Sequence, residues 1–169
     1  MYVTPDEIGI SSAMLHPFKE CHPPSDQGGF MTFQNDLQRG LEIEERVLAI
    51  LRKKYPCATL VNAFKGYDIW IPEIDKAVEV KFDPMSKETG NIVVEIEMYG
   101  KNSGLMATQA DYWVFYDGEM FVIMPVKNIF KCIFESKLQY VEFVGNGDTR
   151  PKKAFLVDKN TLFKYGKIL

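Results

Sequence analysis

No apolar run in this sequence approaches the roughly 18 residues that a membrane-spanning helix needs, so no span is expected. Met1 to Ile10 shows no basic segment followed by an apolar one, and no secretory signal is expected either. Cysteine is scarce. The three residues, Cys21, Cys57 and Cys132, lie far apart and are odd in number, which argues against a disulfide framework and for reduced thiols inside a cell. The expected location is cytoplasmic, or the interior of a host cell if the chain is viral. Histidine is scarcer still. His16 and His22 lie on either side of Cys21, but no fourth ligand follows at finger spacing, so all three are read as loop residues. Positive charge is also short: 20 Lys and Arg stand against 23 Asp and Glu, for a net charge of −3. That balance counts against an avid, non-specific grip on DNA, because each phosphate contact is normally made by a basic residue. It leaves room for an enzyme whose carboxylates hold metal ions, since those ions would invert the local field.

What is present suits one α/β domain. Apolar residues make up 46% and charged residues 25%, ordinary for a globular chain, and 169 residues suffice for one core. Residues 1–34 are rich in Pro, Gly, Ser and His without a sustained period. They are read as an irregular N-terminal arm with a short helix near Ile8 to Leu15, and residues 35–169 as the domain. From Asn35 to Lys54, the positions Leu37, Leu41, Glu44, Val47, Leu48 and Leu51 fall at helical spacing, and Pro56 ends the run. Strands are expected at Ala58 to Ala63, Tyr67 to Ile71, Lys76 to Phe82 and Asn91 to Met98. Further strands are expected at Asp111 to Tyr116, Glu119 to Met124, Tyr140 to Val144 and Ala154 to Val157. A short helix over Ser103 to Gln109 and another over Val126 to Lys137, with Pro125 at its first turn, complete the pattern. Helix, mixed sheet and helix make an α/β sandwich with a mixed central sheet flanked by helices.

Chemistry concentrates in the hairpin that turns at Pro72-Glu73-Ile74-Asp75. Residues i and i+2 of a strand share a face, so Glu79 and Lys81 project together, while Val78 and Val80 pack on the other side. Asp68, on the partner strand, can face the same way as Glu79. Two carboxylates and an ammonium on one patch are unfavourable inside a sheet unless a divalent cation joins them, because Mg²⁺ takes one or two carboxylates together with water and phosphate. The lysine would then orient a water or offset developing negative charge.

Asp68 followed by Glu79-x-Lys81, on a hairpin preceded by a helix, resembles the PD-(D/E)xK nuclease superfamily, with Tyr67 where the motif has proline. The resemblance covers Leu37 to Tyr116 and is nearest to the Holliday-junction-resolvase and phage-endonuclease branches, where a Gly-x-x-x-Glu helix leads in, as Gly40 and Glu44 do here. It implies a restriction-endonuclease-like core and hydrolysis of phosphodiesters in nucleic acid. The substrate it implies is DNA, with branched or single-stranded forms included. Asp68 and Glu79, aided by the Val80 carbonyl, would hold Mg²⁺ or Mn²⁺, Lys81 would help activate water, and Glu44 would position a second metal or its water. The helical carboxylate has two candidates. Glu44 lies within the apolar stripe, whereas Glu45 is rotated about 100° towards solvent, so Glu44 is preferred and Glu45 is second.

Supporting roles near substrate fall, by the same resemblance, to Glu95, Ser103, Thr108 and Gln109. A homodimer and a phage or viral source are part of that expectation. The aromatics Tyr112, Trp113, Phe115 and Tyr116 are read as core of a central strand and not as a base-stacking platform. The late cluster Arg150, Lys152, Lys153, Lys159, Lys164 and Lys167 is read as a solvated face, with contact to a nucleic-acid backbone as the alternative. Gly145-Asn146-Gly147 lacks the strand, helix and lysine of a phosphate-binding loop. Two other functions stay open: a non-catalytic nucleic-acid-binding module on the same fold, and a protein whose acidic patch binds another protein.

Overall fold

Four helices and ten strands, arranged as two sheets, make up the part of the chain that the computed structural model describes, residues 27–62, 64–145 and 149–169. The helix expected near Ile8 to Leu15 and the group His16, Cys21 and His22 lie outside those residues. Helix α1 spans Gln27–Arg52. Strands β1 (Thr59–Leu60), β2 (Ile69–Ile71) and β3 (Lys76–Phe82) follow, then the one-turn helix α2 (Ser86–Thr89), β4 (Asn91–Met98) and β5 (Lys101–Asn102). After them come β6 (Tyr112–Tyr116), β7 (Phe121–Pro125), α3 (Val126–Glu135), β8 (Val141–Phe143), β9 (Lys152–Asp158), α4 (Lys159–Phe163) and β10 (Lys167–Ile168). The long strands β3 and β4 keep their expected bounds. The helix expected over Ser103 to Gln109 is a single 3-10 turn at Gly104–Met106.

Helix α1 begins at Gln27 and so takes in the end of the stretch read as an irregular arm. Its buried stripe is Ile43, Val47, Leu48 and Leu51. Leu37 and Leu41, expected in that stripe, are 57% and 46% exposed. Length explains the correction. At 1.5 Å per residue a 26-residue helix runs about 39 Å, whereas the seven residues of β3 span about 23 Å, so the sheet covers only the C-terminal half. The helix stops where Pro56 can no longer supply an N–H, and the Arg52 side chain donates to the Ala58 carbonyl at 2.9 Å.

The larger sheet runs in the order β1-β2-β3-β6-β7-β10, and β3–β6 is its parallel pair. Parallel neighbours need a long crossover, usually a helix. Here the crossover is made of α2, β4, β5 and the 3-10 turn, and it starts a second, antiparallel sheet of order β5-β4-β9-β8. The mixed central sheet is therefore present, with α1 on one face. Its other face is covered by the second sheet together with α3 and α4, and not by helices alone.

The two cores follow from strand alternation. Val78, Val80 and Val114 point to α1 and pack with Val47 and Leu51. Trp113, Phe115, Val122 and Met124 point the other way, to Ile92, Val94, Val157, Ile129 and Leu162. The aromatics of β6 are accordingly core, as expected. Asp83 makes the corner between the sheets: its N–H bonds the Tyr116 carbonyl at 3.1 Å and its carboxylate accepts from the Val93 N–H at 3.0 Å.

The Asp117-Gly118 turn does more than reverse the chain. The Asp117 carboxylate is buried, accepts the Glu119 and Met120 N–H groups at 2.9 Å each, and pairs with Lys159 at 2.9 Å. Burial by itself would raise its pKa, but the Met120 N–H, the Lys159 ammonium and the Glu119 N–H together hold it below the ordinary carboxylate range. Asp117→Ala should therefore destabilise the protein by about 2–4 kcal/mol at neutral pH, through orphaned donors and an unpaired ammonium. A depressed acid stabilises above its unfolded pKa, so the difference should shrink as pH falls below the ordinary value of 3.8. Urea titrations of both proteins across that range check this, and equal stability at neutral pH would refute it.

Candidate active site

The hairpin β2–β3 pairs Ile69 with Val78 and Ile71 with Lys76 around a 3-10 turn at Pro72–Ile74, closed by Asp75 in the left-handed region at φ 54. One residue beyond β2, the Asp68 N–H still reaches the Val78 carbonyl at 3.0 Å, so Asp68 stays at the edge of the hairpin. There the strands part. The Asp68 carboxylate takes over and accepts the Val80 N–H at 2.7 Å, where a strand carbonyl would otherwise have served. Glu79 and Lys81 alternate with the buried Val78 and Val80, and thus share the face that looks away from α1. The Lys81 ammonium donates to the Glu79 carboxylate at 2.5 Å and sits 5.2 Å from the centre of the Trp113 ring. The parallel register sets Trp113 beside Glu79, so the cation finds both a carboxylate and an aromatic face.

Glu44 completes the group from α1. It lies one turn before Val47 and Leu48 and is half-buried at the edge of their stripe. Burial, with the nearby Asp68 and Glu79 carboxylates adding to it and Lys81 opposing, pushes its pKa up to about 7. Asp68 is also raised, by burial, against the pull of the Val80 N–H and Lys81. Glu79 is raised by burial and by Asp68, against Lys81. Glu44 therefore feels both other carboxylates, Glu79 feels Asp68, and all three feel Lys81, which brings together the four residues expected to act together. Glu45 is exposed and borders a different surface hollow with Leu48, Arg52 and Thr59. Between the two candidate carboxylates of the helix, Glu44 is the one beside Asp68.

Carboxylates crowded until they resist ionisation are the donor set that a hard divalent cation satisfies. Among the described residues no three His, Cys, Asp or Glu side chains form a ready metal-holding group. Mg²⁺ takes one or two carboxylates and otherwise water, a ligand number that Asp68 and Glu79 could supply. Val80 contributes its N–H to Asp68.

Beside Glu79 and Lys81 a cleft of about 470 Å³ opens between the two sheets. Of the four residues given supporting roles, Glu95, Ser103 and Thr108 line it with them. Gln109 does not: its N–H bonds the Gly66 carbonyl at 3.0 Å. Thr108 accepts the Trp113 indole N–H at 3.1 Å and the Ala110 N–H at 3.2 Å, so its hydroxyl also orders the floor of the cleft. Ser103 is brought to Glu95 by Gly104, at φ 47, where a Cβ would come within 2.3 Å of the Glu95 carbonyl oxygen. Only glycine permits that approach.

Sequence reasoning missed Lys65, Asn102 and the indole of Trp113, all of which line the cleft. Trp113 is core, as expected, and a perch for Lys81 as well. The late basic cluster is not simply a solvated face. Lys152 faces Glu95 at 3.9 Å, Lys153 pairs with Glu97 at 2.8 Å and Lys159 pairs with Asp117. The pairing of β4 with β9 brings Lys152 and Lys153 there, and alternating acids on β4 opposite adjacent lysines were the signal for it. Cys57 and Cys132 are free thiols. No helix among the described residues is long and apolar enough to cross a membrane.

Compared with models of known families, with curated proteins and with solved structures, the chain matches none.

The raised carboxylates make a prediction that needs no assay of activity. A raised acid stabilises below its unfolded pKa and loses that contribution as pH rises through the folded value. In EDTA, wild-type thermal stability should therefore fall as pH rises from 4.5 through about 7, and Glu44→Gln should flatten that fall. Millimolar Mg²⁺ should raise the melting temperature at neutral pH and above, and Asp68→Asn should lessen that gain. Mg²⁺ with no effect on wild-type melting would remove the metal from the site.

Proposed function

We propose that the protein is a metal-dependent nuclease on a restriction-endonuclease-like core, hydrolysing phosphodiester bonds in nucleic acid, with DNA as the substrate. The observation that carries this reading is the gathering of Asp68, Glu79, Lys81 and Glu44 from a parting hairpin and the helix packed beside it, with Glu79 and Lys81 lining a cleft. Three carboxylates raised by burial and set about one lysine beside a cleft are the kind of perturbation that sites of chemistry share.

Asp68 and Glu79 would hold Mg²⁺ or Mn²⁺, together with the Val80 carbonyl. When bound, the ion would supply Lewis-acid neutralisation of the phosphate and a more acidic water. Lys81, released from Glu79 by a competing charge, points its ammonium at the attacking water or at the oxygen where negative charge builds. Glu44, titrating near neutral pH, is suited to hold that water and to receive its proton. Trp113 walls the lysine from solvent on one side and limits its rotamers. The water attacks phosphorus in line with the departing oxygen. A homodimer belongs to the same proposal and rests on the family resemblance.

The test is cleavage of labelled single-stranded, duplex and four-way-junction DNA, and of RNA, with Mg²⁺, Mn²⁺ or EDTA. Cutting should need metal, and Asp68→Asn and Lys81→Ala should each slow it by roughly 10²–10⁴-fold while circular dichroism shows them folded. Cutting that survives both variants would reject these residues. Binding of nucleic acid without any cutting would make the protein a non-catalytic module on the same fold. Absence of both would leave the protein-binding alternative.

A further inference from the structure

The two walls of the cleft differ in chemistry. The larger sheet supplies Glu79 and Lys81, and the second sheet supplies Val93 and Glu95, alternate residues of β4 that face away from the buried Ile92 and Val94. Glu95 is held in place from both sides. The Ser103 hydroxyl donates to one oxygen at 2.5 Å, and the Lys152 ammonium stands 3.9 Å from the other. A carboxylate so held only accepts hydrogen bonds, and its oxygens keep lone pairs to spare. It repels a second phosphate, so this wall is not a track for the backbone. It suits N–H or O–H donors, as a base amine or a ribose hydroxyl presents. Val93, 40% exposed, adds an apolar surface beside it for the face of a base.

Size narrows the choice further. At about 470 Å³ the cleft falls within the range of roughly 300–1,000 Å³ typical of small-ligand sites. Such a space takes one nucleotide drawn out of its stack, as base-extruding enzymes do, and not a duplex. Resting on the nuclease reading above, we propose that the cleft holds one unstacked nucleotide next to the scissile phosphate, and that Glu95, aligned by Ser103, reads its hydrogen-bond donors. The substrate class is then single strands, frayed ends or unpaired branches. Glu95 discriminates among them and takes no part in the bond breaking.

Fluorescence anisotropy tests this with dye-labelled oligo-dC, oligo-dT, oligo-C RNA and a blunt duplex, in Ca²⁺ to provide a hard cation. The wild-type chain should prefer single strands to duplex by about ten-fold or more. Glu95→Gln, which keeps the side chain's shape, and Ser103→Ala should each weaken single-strand binding, by roughly ten- to hundred-fold for the first, and change duplex binding little. A loss seen with both cytosine probes and not with oligo-dT identifies a base amine as the donor, and one confined to RNA identifies the ribose hydroxyl. Equal affinity for duplex and single strand, or variants that both bind as wild type does, would overturn the proposal. Parallel Mg²⁺ cleavage assays separate the two claims. Glu95-dependent binding without cutting rejects the nuclease reading and keeps the nucleotide site, whereas cutting that ignores Glu95 does the reverse. A wild-type chain that binds none of the four probes rejects the site outright.

Discussion

The parallel pairing of β3 with β6 is the constraint on which the rest of the molecule turns. Two parallel neighbours cannot be joined by a hairpin, so the chain must leave the sheet after Phe82 and return at Tyr112. That excursion is long enough to build α2, β4 and β5, and it starts the second sheet. The cleft exists because the excursion passes over the face that carries Glu79 and Lys81. The same register sets Trp113 beside Glu79 and Phe115 beside Lys81, so a residue of the core becomes a residue of the site. Asp83 holds the departure point, bonded to one sheet through its N–H and to the other through its carboxylate.

Within that frame the site is an electrostatic compromise. Burial raises all three carboxylates, Asp68 adds to the rise at Glu79 and both add to it at Glu44, and Lys81 is the cation that acts on all of them. The desolvation each suffers is costly unless hydrogen bonds or charges answer it. Val80 answers part of it at Asp68, by an N–H that the parting strands would otherwise leave unpaired. Lys81 answers part at Glu79. Glu44 is left with the largest rise, which is why it titrates near neutral pH. A structure selected for stability alone would replace such a group with apolar side chains, at little loss. Strain of this kind, held beside an open cleft, is the physical content of the functional reading.

Much of this was legible from local pattern. The period-two alternation of Lys76 to Phe82 and Asn91 to Met98 set those strands to the residue, and the turn chemistry of Pro72 to Asp75 set the hairpin. Glu44 stood out because a carboxylate in an apolar helical stripe asks for a partner. The errors share one cause. Leu37 and Leu41 have the right spacing but lie beyond the reach of the strands beneath, and spacing does not report how far a sheet extends. The late lysines looked like a solvated face because their acidic partners are distant in sequence and adjacent only through the pairing of β4 with β9. The pairing of Asp117 with Lys159 was hidden for the same reason, since Lys159 lies 42 residues away.

By itself the sequence determined what short-range physics controls: the strand faces, the hairpin and the side on which Glu79 and Lys81 lie. Those follow from backbone periodicity, which acts over a few residues. Only the tertiary structure decided that the crossover would become a second sheet, and that Glu95 and Ser103 would face Lys81 across a cleft. These depend on which strand pairs with which and on how far each element reaches. No local pattern encodes them, because hydrogen-bonded strands and packed faces choose their partners only when the whole chain is in place.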